Sequence, residues 1–263
     1  MNGLRMYGLL VRASFRSRMQ YKFNFWFSTL MAALINALEF IMLAAILWKF
    51  GSLKGWSLAE AGYLYALLTL SKALYRTLAS DVHHLEKYLL SGDLDSLLVR
   101  PVPVLMTLMT QNFSVRIGEF VQGTAILAYC IRVLIDSGQV EWTVVPLSLF
   151  VILSGALLLF AIGLLTAALG FWFTRIEQLQ NITEDAARTA AGYPLTIYPR
   201  WLQGVLIGII PVAFANYMPS LYILRHETGP WMLGLSAAVG GAVMGIALLV
   251  WRLGLTRYQS TGS

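Results

Sequence analysis

Six ionisable residues stand within or beside long apolar runs and could do chemistry there: Glu39, Arg116, Glu119, Glu184, Asp185 and Arg188. A charged side chain is costly in lipid, so such residues face a protein interior or a water-filled path. In that setting they can pass a proton, attract an ionic cargo, or pair with one another. Spacing supports pairing for four of them. Arg116 and Glu119 are three apart and Glu184 and Arg188 four apart, so each couple shares one helical face. His83 and His84 have Asp81 and Glu86 nearby, but adjacent histidines on a helix project in different directions and no metal site is expected. Other chemistries have no motif. The chain contains no GxxxxGK[ST], HExxH, CxxC or GxSxG, so it is expected neither to hydrolyse ATP itself nor to act as an enzyme.

The elements that position these residues are set by hydropathy. The 263 residues are 58% hydrophobic and 12% charged, with mean hydropathy +0.68. Those are the values of an all-α polytopic membrane protein, read as one transmembrane domain over residues 1–263. The net charge of +6 is accounted for by anionic headgroups and the positive-inside rule, so no nucleic-acid partner is expected. Cys130 is the only cysteine and reads as a small core residue.

Residues 2–22 read as an interfacial helix. Arg5, Arg12 and Arg16 share a stripe, while Tyr7, Leu10, Val11 and Phe15 lie mostly elsewhere around the axis. Arginines interrupt the apolar run, so this stretch is not expected to be a cleaved signal peptide. Spans are expected over Phe25–Trp48, Leu58–Ala79, from Val104 or Leu108 to Ile135, and over Val144–Phe173. A last span is expected over Trp231–Leu253, each long enough to cross roughly 30 Å of hydrocarbon. Gly241 and Gly245 form a GxxxG pair in the last. On hydropathy alone Arg175–Arg200 is a polar loop and Gln203–Leu224 the fifth span, despite Pro211 and Pro219.

Between the second and third spans lies a polar island, DVHHLEKYLLSGDLDSLLVRPVP, Asp81–Pro103. Leu85, Tyr88 and Leu89 make one short apolar stripe, and Leu94, Leu97 and Leu98 a second. Gly92 suits a helix C-terminus, Asp93 an N-cap, and Arg100-Pro101 a stop. Such a helix–turn–helix either docks a partner or rests on its own protein or on headgroups. Six spans put both termini on one side, together with the island, the Arg175 region and the Arg252/Arg257 tail. That charge bias marks the side as cytoplasmic.

Four stretches together resemble one family. They are the basic amino-terminal helix running into the first span, GDLDSLLVRPVPVL (Gly92–Leu105), AAGYPLTIYPRWLQGVLIGIIPVAFANYMPSLYIL (Ala190–Leu224), and the tail WRLGLTRYQSTGS. The second resembles a Gly-x-x-Asp-x-Leu-x-x-Arg-Pro signature. The third resembles a Tyr-Pro element followed by a Pro-Arg-Trp-Leu start and an Ile-Pro step. The set is similar to permeases of type-two ABC exporters, in the bacterial branch with two related permeases and a separate ATPase.

This resemblance implies six transmembrane helices with cytoplasmic termini in a bacterial inner membrane. It makes the island the ATPase-coupling segment, with Leu85, Leu89, Gly92, Asp93, Leu94, Asp95, Leu97, Arg100 and Pro101 as coupling residues. It moves the fifth helix to about Gln178–Ile197 and makes residues 199–224 a re-entrant hairpin. Glu184, Asp185 and Arg188 then join Glu39, Arg116 and Glu119 on a subunit interface or translocation path. Tyr193, Tyr198 and Trp201 would offer cation–π contacts to an aromatic cation of the viologen kind. The implied partners are ABC ATPase subunits carrying ATP and Mg, a second permease subunit (a different chain in a heterodimer, or alternatively a second copy in a homodimer), and membrane lipid. This chain itself would hold no cofactor. Two other readings remain: a gradient-driven secondary transporter using Glu39, Glu119 and Glu184/Asp185, and a scaffold that recruits a partner through the island.

Overall fold

The computed structural model describes residues 3–18, 20, 22–50, 54–79, 81–173, 175–185 and 192–258. Within them every element is helical. Helix α1 (Gly3–Arg18) precedes the long helix α2 (Lys22–Phe50), and α3 (Leu58–Leu78) follows. The island is next, as a 3-10 turn Val82–His84 leading into α4 (Leu85–Ser91) and α5 (Asp93–Leu98). Then come α6 (Val104–Thr110), α7 (Ile117–Asp136) and α8 (Val144–Ala168), which ends in a 3-10 turn Leu169–Phe171. The chain continues through α9 (Glu177–Asp185), α10 (Arg200–Gly208), α11 (Tyr217–Arg225) and α12 (Trp231–Arg257).

Among the described residues, four stretches are long and apolar enough to cross a membrane: residues 25–42, 117–136, 144–171 and 231–257. Helix α3 has the length but carries Glu60, Lys72 and Arg76. It is nonetheless the centre of the bundle, packed on α7 and α8, while α8 packs on α12. A capping box starts α3: Ser57 Oγ accepts from Glu60 N, and Glu60 Oε2 accepts from Ser57 N at 2.8 Å, so two otherwise orphaned N–H groups are satisfied.

Three sequence expectations change. The third span begins at Ile117, not at Val104 or Leu108, because the chain breaks after α6. Gln111 is extended and Asn112 takes a left-handed backbone with φ 55°. Asn112 Nδ2 donates to Asp81 Oδ2 at 3.1 Å and Phe113 N–H donates to Ser14 Oγ at 2.9 Å. The detour thus ties α6 to α1 and to the island.

Residues 203–224 do not form one helix. After α10, Pro211 cannot donate a backbone hydrogen bond, and a 3-10 turn Val212–Ala215 separates α10 from α11. Asn216 is fully buried at that break and donates from Nδ2 to Leu64 O at 3.0 Å. A broken segment stapled to α3 replaces the single span. Of the alternative fifth helix, 178–197, the structure describes α9 and a 3-10 turn Leu195–Ile197. Arg188 lies outside the described residues.

Third, the apolar stripes of the island face inward. Gly92 does turn the chain, with φ 74° in the left-handed region that costs a side-chain-bearing residue extra. It also takes the N-cap place of α5 expected for Asp93, which becomes the first helical residue. Leu85, Leu94 and Leu97 are buried in one apolar cluster with Val104 and Leu108 of α6, Leu164 and Ala168 of α8, and Ala247 and Trp251 of α12. Leu89 is half-buried beside them. Leu85, Leu94 and Leu97 hold the island to the bundle and are not exposed on its outer face. The opposite face carries Leu90 at 62% exposure and Val99 at 85%. Asp93, Leu98, Arg100 and Pro101 are exposed too, while Gly92 and Asp95 are half-buried.

Candidate functional site

The chemistry-bearing residues gather around Arg76, near the C-terminal end of α3. Its guanidinium donates from Nη2 to Glu184 Oε2 in the last turn of α9, and from Nε to Tyr75 Oη at 3.3 Å. The other oxygen of Glu184 lies 3.3 Å from His83 Nδ1. Across from them, at the start of α7, Arg116 Nη1 is 3.6 Å from Glu119 Oε1. Glu119 is buried and its Oε2 has no hydrogen-bond partner.

His83 is held by the island's 3-10 turn against the backbone of α8. A Cβ on Gly163 would stand 2.3 Å from His83 Cε1, so only a glycine admits the ring. Burial pushes the His83 pKa down to about 4, chiefly by desolvation of the imidazolium. The Glu184 carboxylate opposes that shift, and Arg76 and His84 add to it. The ring is therefore neutral at pH 7. Beside it, Asp81 is buried and accepts from Tyr88 Oη and from Asn112 Nδ2. Burial and the Asp81 carboxylate raise the Tyr88 phenol, so it remains a donor.

Arg76, His83, Arg116 and Glu184 line a cavity of about 870 Å³. Glu86, Lys87 and Leu90 of α4 and Glu177 and Asn181 of α9 line it with them. That volume falls in the range of small-molecule sites, and the lining carries both signs of charge. A second cavity of about 200 Å³ reaches Asp81, Asn112, Arg116 and Glu119. A third of about 90 Å³ lies between Tyr75, His83, Thr183, Glu184 and Asp185. Arg76 lines all three. Among the described residues no three His, Cys, Asp or Glu side chains are grouped to hold a metal ion.

The structure thus brings together Arg116, Glu119, Glu184 and Asp185 of the expected set. Glu39 is elsewhere, half-buried on α2, within electrostatic reach of Tyr193. Tyr193 packs with Phe40, Ala61 and Tyr65, and Tyr198 lies near Tyr193. Trp201 faces outward at 70% exposure. The aromatic group and the Glu184–Asp185 pair are therefore two places rather than one.

Arg76 was the residue missing from the expected set. A basic residue inside a helix otherwise apolar is the same signal that marked Arg116, but its position near a span end reads as a topology flank.

A second charged cluster sits at the other end of α3. Arg225 Nε is 3.2 Å from Glu60 Oε1, its Nη2 donates to Gly55 O at 2.7 Å, and its guanidinium lies 4.0 Å over the Trp56 ring. Gln139 Nε2 also donates to Glu60 Oε1, at 2.9 Å. One buried carboxylate thus joins the α2–α3 turn, the α7–α8 turn and the end of α11.

Residues 33–262 match the family described as ABC-2 family transporter protein, a stretch that contains every site residue above. No curated protein and no solved structure matches the chain.

Proposed function

The chain belongs to the ABC-2 transporter family, a multi-pass permease component that works with an ABC ATPase, and on that footing we propose that it is one transmembrane half of an exporter. Two permeases, this chain and a related one, would form the pathway in a bacterial inner membrane. ATPases carrying ATP and Mg would dock on the cytoplasmic side, where the charge bias also puts both termini. The cargo would be amphipathic or hydrophobic and cationic. The group of Glu39, Tyr193 and Tyr198 favours such a cargo. ATP drives the cycle by binding one arrangement of the subunits more tightly than the other.

The observation that carries this reading is the two-sided island. Its buried leucines tie it to α6, α8 and α12, so a force on it moves helices rather than a loose loop. Its outer face offers Leu90, Leu98 and Val99 framed by Asp93, Asp95, Arg100 and Pro101, an apolar centre with a charged rim. Residues 178–197 and 199–224 would be the fifth helix and the re-entrant hairpin; the break at Pro211 and the burial of Asn216 support that arrangement.

Co-purification tests it. Leu90→Asp together with Val99→Asp should release the ATPase from an otherwise folded permease. Leu94→Asp should instead unfold it, since it buries an unpaired charge. An ATPase still bound to the L90D/V99D protein would refute the docking face. Uptake of a fluorescent aromatic cation into inverted vesicles should require ATP and persist when ionophores collapse the ion gradients.

A further inference from the structure

The N-terminus of α9 is held by a residue of another element. Glu86, in the first turn of α4, accepts through one oxygen, Oε2, from the backbone N–H of Ile176 at 2.9 Å and from that of Glu177. The first N–H groups of a helix have no partner within it. A carboxylate placed there makes charge-assisted bonds and also meets the positive end of the helix dipole. Apolar contact reinforces the joint: a Cβ on Gly170 would stand 2.8 Å from Ile176 Cδ1 and 3.1 Å from Leu89 Cδ1. The side chains of α4 and of the α9 start therefore meet over the end of α8. At its other end α9 is tied to α3 through Glu184 and Arg76.

We infer that Glu86 is the positioning residue through which movement of the island is passed to α9, making the two helices one wall of the 870 Å³ cavity. This rests on the island being the ATPase's docking segment. The argument is one of connectivity. Two N–H bonds to one carboxylate fix the N-terminus of α9 directly to α4. Glu86, Lys87 and Leu90 share the cavity lining with Glu177, Gln180 and Asn181. If α4 tilts with α9 attached, the lining residues of both helices move together relative to Arg116. If the joint is cut, α4 can tilt alone and the α9 side of the cavity stays in place.

Two measurements test the joint. In the purified permease, Glu86→Ala should speed backbone amide exchange at Ile176 and Glu177 by about tenfold or more, as expected for loss of hydrogen bonds to a charged group. Glu86→Gln, which keeps an acceptor oxygen, should fall between. Unchanged exchange in Glu86→Ala overturns the proposal. In the complex with its co-purifying ATPase, spin labels at Lys87 on α4 and at Gln178 on α9 are each measured against a reference label at Leu249 on α12, before and after trapping with ATP and vanadate. The buried Cys130 is replaced by Ser throughout. In the wild-type background both distances should change together. In Glu86→Ala the Lys87 distance should still change and the Gln178 distance should not, with Glu86→Gln restoring part of it. If both still change in Glu86→Ala, the transmission role is wrong while the docking reading stands. If neither changes even in the wild-type background, the docking reading and this inference fall together.

Discussion

Acidification should destabilise this protein through one identifiable residue. The ring of His83 is packed on Gly163, and its pKa is pushed down to about 4 from an ordinary 6.5. An unfolded chain binds a proton at His83 below pH 6.5, whereas the folded chain declines it until about pH 4. Stability from this group is therefore fully present above pH 6.5 and is lost as pH falls towards 4. The difference amounts to about 3 kcal/mol over that window, at roughly 1.4 kcal/mol per pH unit. For a chain of this size that corresponds to a fall in Tm of roughly 6–12 °C.

The assay is thermal unfolding in nanodiscs from pH 7.5 to 4, compared between wild type and His83→Gln. The variant keeps a polar side chain of similar reach without the titration, so its Tm should be flatter over the same range. Gly163→Ala gives an independent arm. The new Cβ evicts the ring towards the cavity, costing about 1–3 kcal/mol at pH 7.5 by overpacking and returning the His83 pKa towards 6.5. The acid-specific loss should then shrink, and His83→Ala in that background should recover stability because it makes room for the Cβ. A His83→Gln protein with the same pH dependence as wild type would refute the reasoning, as would additive effects of G163A and H83A.

Other substitutions probe the charge clusters and the island turn. Arg76→Gln leaves the Glu184 carboxylate with a neutral partner. Because both side chains are about a quarter exposed, the loss should be about 2 kcal/mol rather than the 3–5 of a fully buried pair. Adding Glu184→Gln should return part of it in thermal unfolding. Glu60→Gln removes the charge that Arg225, Gln139 and the Ser57 N–H all meet; about 2 kcal/mol should be lost, read as a lower Tm with no change in ATPase co-purification. Gly92→Ala forces a Cβ into the left-handed region at a cost of about 1 kcal/mol, and should weaken ATPase retention more than it lowers Tm.

Long apolar runs were legible in the sequence because lipid imposes a simple rule. Helices α2, α7, α8 and α12 all appear where that rule puts them, except that α7 starts later. Its true start depends on Asn112 turning left-handed to reach Asp81, a tertiary bond no local pattern reports. The helix–turn–helix of the island was legible from Gly92 and the leucine spacing. Its orientation was not, because an amphipathic stripe states that one face is buried without saying against what. Leu85, Leu94 and Leu97 meet α6, α8 and α12, segments far along the chain. The pairing of Arg76 with Glu184 links α3 to α9 and has no short-range signature, whereas Arg116 with Glu119, three residues apart, was visible directly.

Helix α3 shows why counting apolar stretches undercounts this bundle. Lipid contact demands apolar side chains, so a helix with a long exposed apolar face, such as α2 with Phe23, Trp26, Leu30 and Leu38, is found by hydropathy. A helix enclosed by others is released from that demand, provided its polar groups find partners. Helix α3 is buried along nearly all of its length and carries Glu60 near one end and Arg76 near the other. They stand about 24 Å apart along the axis, close to the depth of the hydrocarbon. Each charge is met there by an element that crosses from elsewhere: Arg225 at the end of α11 for Glu60, Glu184 on α9 for Arg76. The polar residues that hide α3 from an apolarity threshold are thus the ones that fasten its two ends. In this bundle the two ends of α3 carry separate charged clasps, so loosening one leaves the bonds of the other intact.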